Sequence, residues 1–390
     1  MKIAFIPVGA TGHILAALPI AEELVLKGAD VIFFAPENNR KRVEDINAHW
    51  FNMYFDPAAG LIPGEDFVAC LPLVFLTQAK DTIDMMMEVL EKEKPDLLVV
   101  DQLALAGRLA SAKLNIPMVM LHPTYVSNSQ FSISRFWPTF PDDNPARAQA
   151  KVLAEQFSKE YGVEYLDIYR IFEGHADFNV VTLSRSFQPF GETFGDEWFF
   201  AGAQIFRNRG VWEKKDDKPL LYTSLGTTFN NWPQFYHMLF GIVKEMDINV
   251  ICAIGDTLKA EELGEIPDNV TVMAFAPQQP ILEKTDWFLT HAGSSSVMHS
   301  LYFGVPMLAF PQMEEQFMTA NRMIELGVCS GSITRQEATE ETLRDGLYKL
   351  MNDTTLKDNA RRMSEEMHAC GGCEKAAEKI LEHFHNITTH

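Results

Sequence analysis

The sequence has 390 residues, of which 47% are hydrophobic and 22% are charged, and its formal net charge is -20. This composition is typical of a globular protein with room for two domains and excludes a largely disordered chain. The acidic balance argues against nucleic acids and anionic membranes as partners, since both attract cationic surfaces. No apolar run approaches the length of a membrane span, so we expect a cytoplasmic protein.

Short apolar runs alternate with helical patterns along the first half of the chain. They lack polar alternation, which is typical of parallel strands covered on both faces. The six predicted strands are Lys2–Val8, Asp30–Ala35, Asp96–Asp101, Pro117–Leu121, Asn179–Leu183 and Trp198–Ala201. Residues 125–165, rich in Phe, Trp, Pro and Ser, break this rhythm and predict an excursion of loop and helix that lines a binding site.

The second half repeats the rhythm. Its five predicted strands are Leu220–Leu225, Asn249–Ile254, Val270–Phe275, Trp287–His291 and Pro306–Phe310. We therefore predict an α/β protein with two doubly wound, Rossmann-like domains. The predicted boundaries are 1–206 for the N-terminal domain, 207–218 for a linker and 219–390 for the C-terminal domain. The last helix, near 375–390, is a candidate to pack back on the N-terminal domain.

The segment "PVGATGH", residues 7–13, joins the first strand to a helix predicted over 13–27. Glycine loops in this position often cradle phosphates, and the spelling is similar to the nucleotide loop of sugar-nucleotide epimerases and related reductases. However, Leu15 stands where that fingerprint needs a third glycine, and no tyrosine has a lysine four residues on. An NAD(P)-dependent oxidoreductase therefore stays only an alternative.

The histidine at the end of this loop is a candidate general base. The predicted helix places His13 in its first turn, where the positive end of the dipole disfavours imidazolium and keeps the ring able to accept a proton. Asp101 ends the buried run "PDLLVVD" at the same edge of the sheet and could orient the imidazole. The alternative is that Asp101 only caps the next helix and His13 packs in the core.

Five scattered cysteines do not form the pattern of a disulfide framework. Cys370 and Cys373 have CxxC spacing, but no second pair or nearby histidine cluster completes a metal site. We therefore predict no metal.

The densest motif is "FAPQQPILEKTDWFLTHAGSSSVMHSLYFGVPMLAFPQMEEQ", residues 275–316. Together with "GATGHILAALPIAEEL" near the start and "PLLYTSLGTTF" at 219–229, it resembles the nucleotide-sugar glycosyltransferases of the GT-B fold, in their bacterial macrolide-type form. The resemblance covers the whole chain, with three blocks in the right order. It implies two parallel sheets that face a central cleft, with the acceptor bound by the first domain and the donor by the second.

The resemblance also implies a donor site in the second domain. Phe275 stands where the family usually has a tryptophan that stacks on uracil, and Gln278 matches a residue that binds the nucleoside. The matches for the diphosphate are His291, Gly293, Ser294, Ser295 and Ser296; for the sugar hydroxyls, Glu315 and Gln316; and for the nucleotide, Ser224, Gly226 and Thr227. His299 replaces the family's ribose-binding glutamate, and Ser295 replaces a common asparagine. The choice between UDP and dTDP therefore stays open.

The implied activity is metal-independent, inverting transfer of a hexose, glucose from UDP-glucose in the first place, with His13 as the base and no cofactor beyond the sugar nucleotide. Aromatic and methionine content predicts an apolar acceptor, a polyphenol, polyketide or terpenoid hydroxyl, bound near Met85, Met86, Phe131 and Trp137. Adjacent methionines cannot all face one cavity on a helix, and core packing is the simpler role for them. The alternatives are a dTDP-sugar transferase, a sugar-nucleotide epimerase, an oxidoreductase or a non-catalytic binding protein, as monomer or homodimer.

Overall fold

The structure is a computed structural model that describes residues 1–163, 168, 171–226 and 230–389. The chain divides into two compact units. The first unit consists of Met1–Gln204 together with Gly371–His390, and the second is Ile205–Cys370.

A seven-stranded sheet forms the centre of the first unit, with strand order β3-β2-β1-β4-β5-β6-β7 and parallel pairing throughout. The strands are β1 (Lys2–Ile6), β2 (Asp30–Ala35), β3 (His49–Asn52), β4 (Leu97–Asp101), β5 (Met118–His122), β6 (Asn179–Val181) and β7 (Trp198–Phe200). The central strands β1 and β4 are buried on both faces, as their unbroken apolar runs predict.

The second unit has a six-stranded parallel sheet of order β10-β9-β8-β11-β12-β13. Its strands are β8 (Leu220–Ser224), β9 (Asn249–Ala253), β10 (Val270–Met273), β11 (Trp287–Thr290), β12 (Met307–Ala309) and β13 (Cys329–Ser332). Each sheet thus has the doubly wound order predicted from the sequence.

Helices cover both sheets. In chain order they are α1 (Thr11–Leu26), α2 (Arg40–Asp45), α3 (Phe67–Glu93), α4 (Leu105–Leu114), α5 (Pro145–Tyr161), α6 (Pro233–Val243), α7 (Gln278–Leu282), α8 (Ser294–Tyr302), α9 (Glu314–Glu325), α10 (Glu340–Asn352), α11 (Thr354–Cys370) and α12 (Gly372–Thr389). The helix α1 ends as predicted, because Gly28 adopts the left-handed φ of 87° that closes a helix. The last helix, α12, belongs to the first unit and packs on α1.

All eleven predicted strands are confirmed, but the prediction missed two edge strands. β3 reads "HWFN" and has no residue fully buried, and β13 reads "CSGS" with two residues half-buried. Such short, polar strands lack the apolar signal of central ones.

The aromatic excursion is loop and helix as predicted, with one 3-10 turn at Ile133–Phe136 before α5. Residues 164 and 165 of the predicted range lie outside the described residues. None of the helices in the described ranges combines the length and the apolar character that crossing a membrane requires.

Candidate active site

His13 and Asp101 lie at the carboxyl edge of the first sheet, and their side chains are in contact. β1 and β4 are parallel neighbours, with Ile6 opposite Val100, so the segments that follow them leave the sheet side by side. His13 is the third residue of α1 and Asp101 is the last of β4. Nδ1 of His13 lies 2.7 Å from Oδ2 of Asp101. The structure therefore brings together the two residues of the hypothesised dyad.

The carboxylate of Asp101 is buried and held by a backbone hydrogen bond. Its side chain is 0% exposed, whereas that of His13 is 23% exposed. The backbone N–H of Leu103 donates to Oδ1 of Asp101 at 2.9 Å, so Oδ2 is the atom that meets the imidazole. A carboxylate in this position accepts the Nδ1 proton of a neutral imidazole, which puts the lone pair on Nε2. This is the arrangement of a general base and its orienting group.

The alternative role for Asp101, a cap on the next helix, is not what the structure shows. The N-cap of α4 is Ala104, which makes no side-chain capping bond. Asp101 instead accepts from Leu103 within the turn that precedes α4. One carboxylate oxygen thus shapes this turn while the other meets His13.

The two glycines of the loop at residues 7–13 differ in whether their surroundings leave room for a side chain. A Cβ on Gly9 would overlap the side chain of Phe55, whereas a Cβ on Gly12 would meet no atom within 4 Å. The loop therefore needs glycine at Gly9 for close packing, and nothing in its surroundings requires glycine at Gly12.

A small apolar cavity lies near the dyad in the first unit, with a volume of ≈ 10 Å³, enough for about one water molecule. Pro7 and Val8 from the segment after β1 line it, and so do Leu103 and Ala104 from the segment after β4. The first of these segments leads into α1, which carries His13, and the second directly follows Asp101.

The four residues predicted to contact an acceptor fall in different places. Met86 is fully buried and lines the cavity, whereas Met85 is half-buried and packs against the core of the first unit. Phe131 is 4% exposed, in a ring cluster with Tyr125. Trp137 stacks on another ring at a centroid distance of 4.9 Å. Of the four, only Met86 lines the cavity.

The prediction missed four residues of α3 that line the cavity, namely Phe75, Gln78, Ala79 and Thr82. The ring on which Trp137 stacks is Phe172, and Phe172 in turn contacts Phe75 edge-on. Phe75, Thr82 and Met86 are spaced by seven and four residues and therefore share one helix face. That periodicity is the sequence signal that could have found them.

His291 follows β11 in the second unit, and its ring lies close to the backbone of two glycines. Ser224 ends the neighbouring strand β8 in register with Thr290, and Gly226 follows with a φ of 84°. A Cβ on Gly226 would lie 2.8 Å from Nε2 of His291, and one on Gly293 would also overlap this atom. The two glycines therefore keep side chains away from the Nε2 side of the ring.

The surroundings of His291 disfavour the positively charged form of its ring. Burial lowers the pKa of His291 to about 4, although the Ser224 carbonyl and the Glu315 carboxylate act in the opposite direction. Its Nδ1 atom is buried without a well-aligned hydrogen-bond partner among the described residues. At neutral pH the ring is uncharged, so it can meet an anion as a hydrogen-bond donor but not as a cation.

The three predicted serines open α8, directly after Gly293. Gly293 is the N-cap, so no capping side chain covers the amide groups of this helix end. Such an end attracts anions through its N–H groups and its dipole. Ser294 donates from Oγ to Oε1 of Glu315 at 2.6 Å, which connects the helix end to the first turn of α9. Oε1 of Gln316 accepts the backbone N–H of Gln312 at 2.8 Å.

The predicted nucleoside contacts divide into two groups. Phe275 follows β10 and is 63% exposed, which leaves a ring face available for stacking. Gln278 is the first residue of α7, and its amide meets His299 on α8. Ser295 is half-buried in the first turn of α8. Thr227 lies outside the described residues.

Within the described ranges, no group of three or more His, Cys, Asp or Glu side chains has an arrangement that could hold a metal ion.

The fold has close counterparts among solved structures. The chain is similar to CalG4, the calicheamicin glycosyltransferase, with a TM-score of 0.85, 26% identity and coverage of 98% of both chains. Two parallel-sheet, Rossmann-like halves of this kind define the GT-B class of glycosyltransferases.

Sequence comparison gives the family. Residues 237–382 match the family model of the erythromycin biosynthesis protein CIII-like C-terminal domain. The chain is 31% identical to the NDP-glycosyltransferase YjiC of Bacillus licheniformis, covering 97% of this chain and 96% of that protein. It is 29% identical to the demethyllactenocin mycarosyltransferase of Streptomyces fradiae, covering 97% of this chain and 85% of the relative. The chain belongs to the NDP-glycosyltransferase family, together with macrolide glycosyltransferases.

Proposed function

We propose that this glycosyltransferase moves a hexose, glucose from UDP-glucose in the first place, to a hydroxyl of an apolar small molecule, with inversion at the anomeric carbon. The observation that carries the proposal is the 2.7 Å contact between His13 Nδ1 and the buried carboxylate of Asp101. It supplies an oriented base near apolar side chains, in a chain whose relatives transfer sugars.

The reaction needs one proton transfer and one displacement. Nε2 of His13 takes the proton of the acceptor hydroxyl while the oxygen of that hydroxyl forms a bond to the anomeric carbon. The bond from that carbon to the nucleoside diphosphate breaks, and the electron pair leaves with the phosphate oxygen. Asp101 stabilises the imidazolium that forms. Attack opposite the leaving group inverts the centre, so an α-linked donor gives a β-glycoside.

The second unit would bind the donor and receive the leaving group. The amide groups at the start of α8 and the neutral imidazole of His291 would donate hydrogen bonds to the diphosphate. Glu315 and Gln316 would bind the sugar hydroxyls. Because these groups can balance the charge that develops on the leaving group, we propose that transfer requires no metal ion and no cofactor.

The acceptor class is inferred from the chemical character of the side chains near the dyad, since the cavity there is too small to hold such a molecule as it stands. The residues that line this cavity are apolar apart from Gln78 and Thr82, which favours a polyphenol, polyketide or terpenoid in which a hydroxyl is the reactive group. The names of two relatives, the demethyllactenocin mycarosyltransferase and the oleandomycin glycosyltransferase, support polyketides among these classes.

A dTDP-sugar is the alternative donor. The position at which the family carries a ribose-binding glutamate holds His299, which is buried and whose ring meets two glutamine amides. An imidazole cannot clamp two ribose hydroxyls as a carboxylate does. The chain therefore has less reason than its family to require the 2′-hydroxyl that distinguishes UDP from dTDP.

The test is a matrix of donors and acceptors analysed by mass spectrometry. UDP-glucose and dTDP-glucose are each incubated with a polyphenol, a macrolide and a terpenoid alcohol. The proposal predicts a hexosylated product in at least one combination, with release of the nucleoside diphosphate. Conversion of the donor alone would point to an epimerase, and binding heat without any product would indicate a non-catalytic binding protein.

A further inference from the structure

His299 lies between two glutamine side chains of the second unit. The residue is 6% exposed and belongs to α8, while both glutamines belong to α7. Nε2 of Gln278 lies 3.1 Å from Nδ1 of the ring, and Nε2 of Gln279 lies 3.3 Å from Nε2 of the ring. Both ring nitrogens are therefore engaged by side chains of the protein itself.

The number of protons on the imidazole limits which of these hydrogen bonds can form. A neutral imidazole has one N–H and one lone pair, so it can accept a hydrogen bond from only one of two amide donors. An imidazolium has no lone pair and can accept from neither. One of the two amides must therefore turn its oxygen to the ring, by a rotation of 180° that exchanges amide oxygen and nitrogen.

The backbone N–H of Phe206 decides which amide turns. It donates to Oε1 of Gln279 at 3.1 Å, which fixes the oxygen of Gln279 on Phe206 and its nitrogen on the ring. Nε2 of His299 is then the acceptor, and Nδ1 carries the proton. Gln278 must accept this proton with its oxygen, and its nitrogen then faces Oγ of Ser296, the atom 3.4 Å away on its other side.

We propose that His299 is a positioning residue that fixes the amide of Gln278 with its oxygen on the ring, so that Gln278 offers a bound nucleotide an N–H group and not a carbonyl. The hydrogen bonds then run in one direction, from Phe206 through Gln279 and His299 to Gln278 and Ser296. His299 itself makes no contact with the nucleotide. The inference rests on the proposed function, because it assigns Gln278 to a nucleoside diphosphate.

The orientation of the Gln278 amide determines which ligand groups it can bind. An N–H donor selects a lone pair on the ligand, such as a base carbonyl or a ribose hydroxyl oxygen. Loss of His299 would release the Gln278 amide to rotate, and the interaction with the nucleotide would weaken by about the value of one hydrogen bond, roughly tenfold in the dissociation constant.

The first test is the tautomer of His299 in the wild-type protein without ligand. A proton–nitrogen correlation spectrum of the histidine side chains, assigned by comparison with His299→Gln, reports which ring nitrogen carries the proton. The proposal predicts protonation at Nδ1. Protonation at Nε2 would overturn the proposal, whatever the protein transfers.

The second test is a double-mutant cycle, with calorimetric titration of UDP or dTDP, whichever the wild type binds more tightly. His299→Leu and Gln278→Leu should each raise the dissociation constant about tenfold, and the double variant should bind no more than about threefold more weakly than Gln278→Leu alone. Multiplication of the two single effects would mean that His299 acts independently of Gln278 and would overturn the proposal.

His299→Gln is the conservative control, because its amide can accept from Gln279 and donate to Gln278. It should restore the dissociation constant to within about threefold of the wild type, and a tenfold loss in this variant would count against positioning. Failure of the proposed function gives a different result, since wild-type protein would then neither bind a nucleoside diphosphate nor transfer a sugar.

Discussion

Each of the two units places a partly exposed histidine beyond the carboxyl end of a central strand, and the two rings have different neighbours. His13 is partly exposed and contacts a fully buried carboxylate. His291 is flanked by two glycines, and burial lowers its pKa to about 4. In the proposed reaction Asp101 stabilises the imidazolium that forms at the first site, whereas the surroundings of the second disfavour a charged ring.

This difference agrees with the proposed roles of the two histidines. A histidine that must accept a proton in the transition state needs a partner for the cation that forms, and His13 has a carboxylate in direct contact with its ring. A histidine that binds an anion without taking a proton needs space around Nε2, and Gly226 and Gly293 provide it. The following predictions test this separation, beginning with the largest expected effect.

His13→Ala should lower the transfer rate by about 10³-fold, because it removes the base. His49→Ala is the matched control, since His49 is exposed on an edge strand, and it should leave the rate unchanged. The measurement is steady-state product formation with the best donor and acceptor from the matrix.

Asp101→Asn tests the same pair of residues and should lower the transfer rate less than His13→Ala. It removes the orienting charge and keeps the base, so its loss should be smaller than that of His13→Ala. Equal rates in Asp101→Asn and the wild type would refute the dyad.

Gly293→Ala should raise the dissociation constant of the nucleoside diphosphate about tenfold, because its Cβ would displace the imidazole of His291 by overlap at Nε2. Gly293 has no left-handed φ, so the effect is steric and local. Gly241→Ala in α6 is the control, since its nearest contact would be 3.8 Å away. Unchanged affinity in Gly293→Ala would remove His291 from the diphosphate site.

The smallest effect concerns stability against pH. The pKa of His291 is about 4 in the folded protein, while a histidine in the unfolded chain titrates near 6.5. Between these values the unfolded state binds more protons, so this contribution to stability is full above pH 6.5 and is lost as the pH falls toward 4. His291→Gln should therefore show a smaller drop in its thermal midpoint over this range than the wild type. His237→Gln, at an exposed position of the same unit, should follow the wild type.

The sequence was sufficient to predict the central strands and the contact between His13 and Asp101. Buried parallel strands leave unbroken apolar runs, and a histidine and an aspartate at the ends of two such runs meet when the strands are neighbours, as β1 and β4 are. The edge strands β3 and β13 could not be found in this way, because a strand with one neighbour does not need an apolar surface on both faces.

The acceptor residues show a second limit of sequence reasoning. Phe131 and Trp137 were chosen by residue type, but ring type does not distinguish a core cluster from a cavity wall. The face of α3 that carries Phe75, Thr82 and Met86 could be predicted as one surface by periodicity, yet not as the wall of a cavity, because that depends on the segments after β1 and β4. The pairing of His299 with two glutamines likewise depends on how α7 packs on α8.

The most direct measurement compares His13→Ala and Gly293→Ala in one experiment, with the dissociation constant of the nucleoside diphosphate and the transfer rate at saturating donor determined on the same preparations. We predict opposite profiles, in which His13→Ala binds like the wild type and transfers about 10³-fold more slowly, while Gly293→Ala binds about tenfold more weakly and keeps most of its rate. If His13→Ala weakened binding as much as Gly293→Ala and kept its rate, the assignment of proton transfer to the first unit would be wrong.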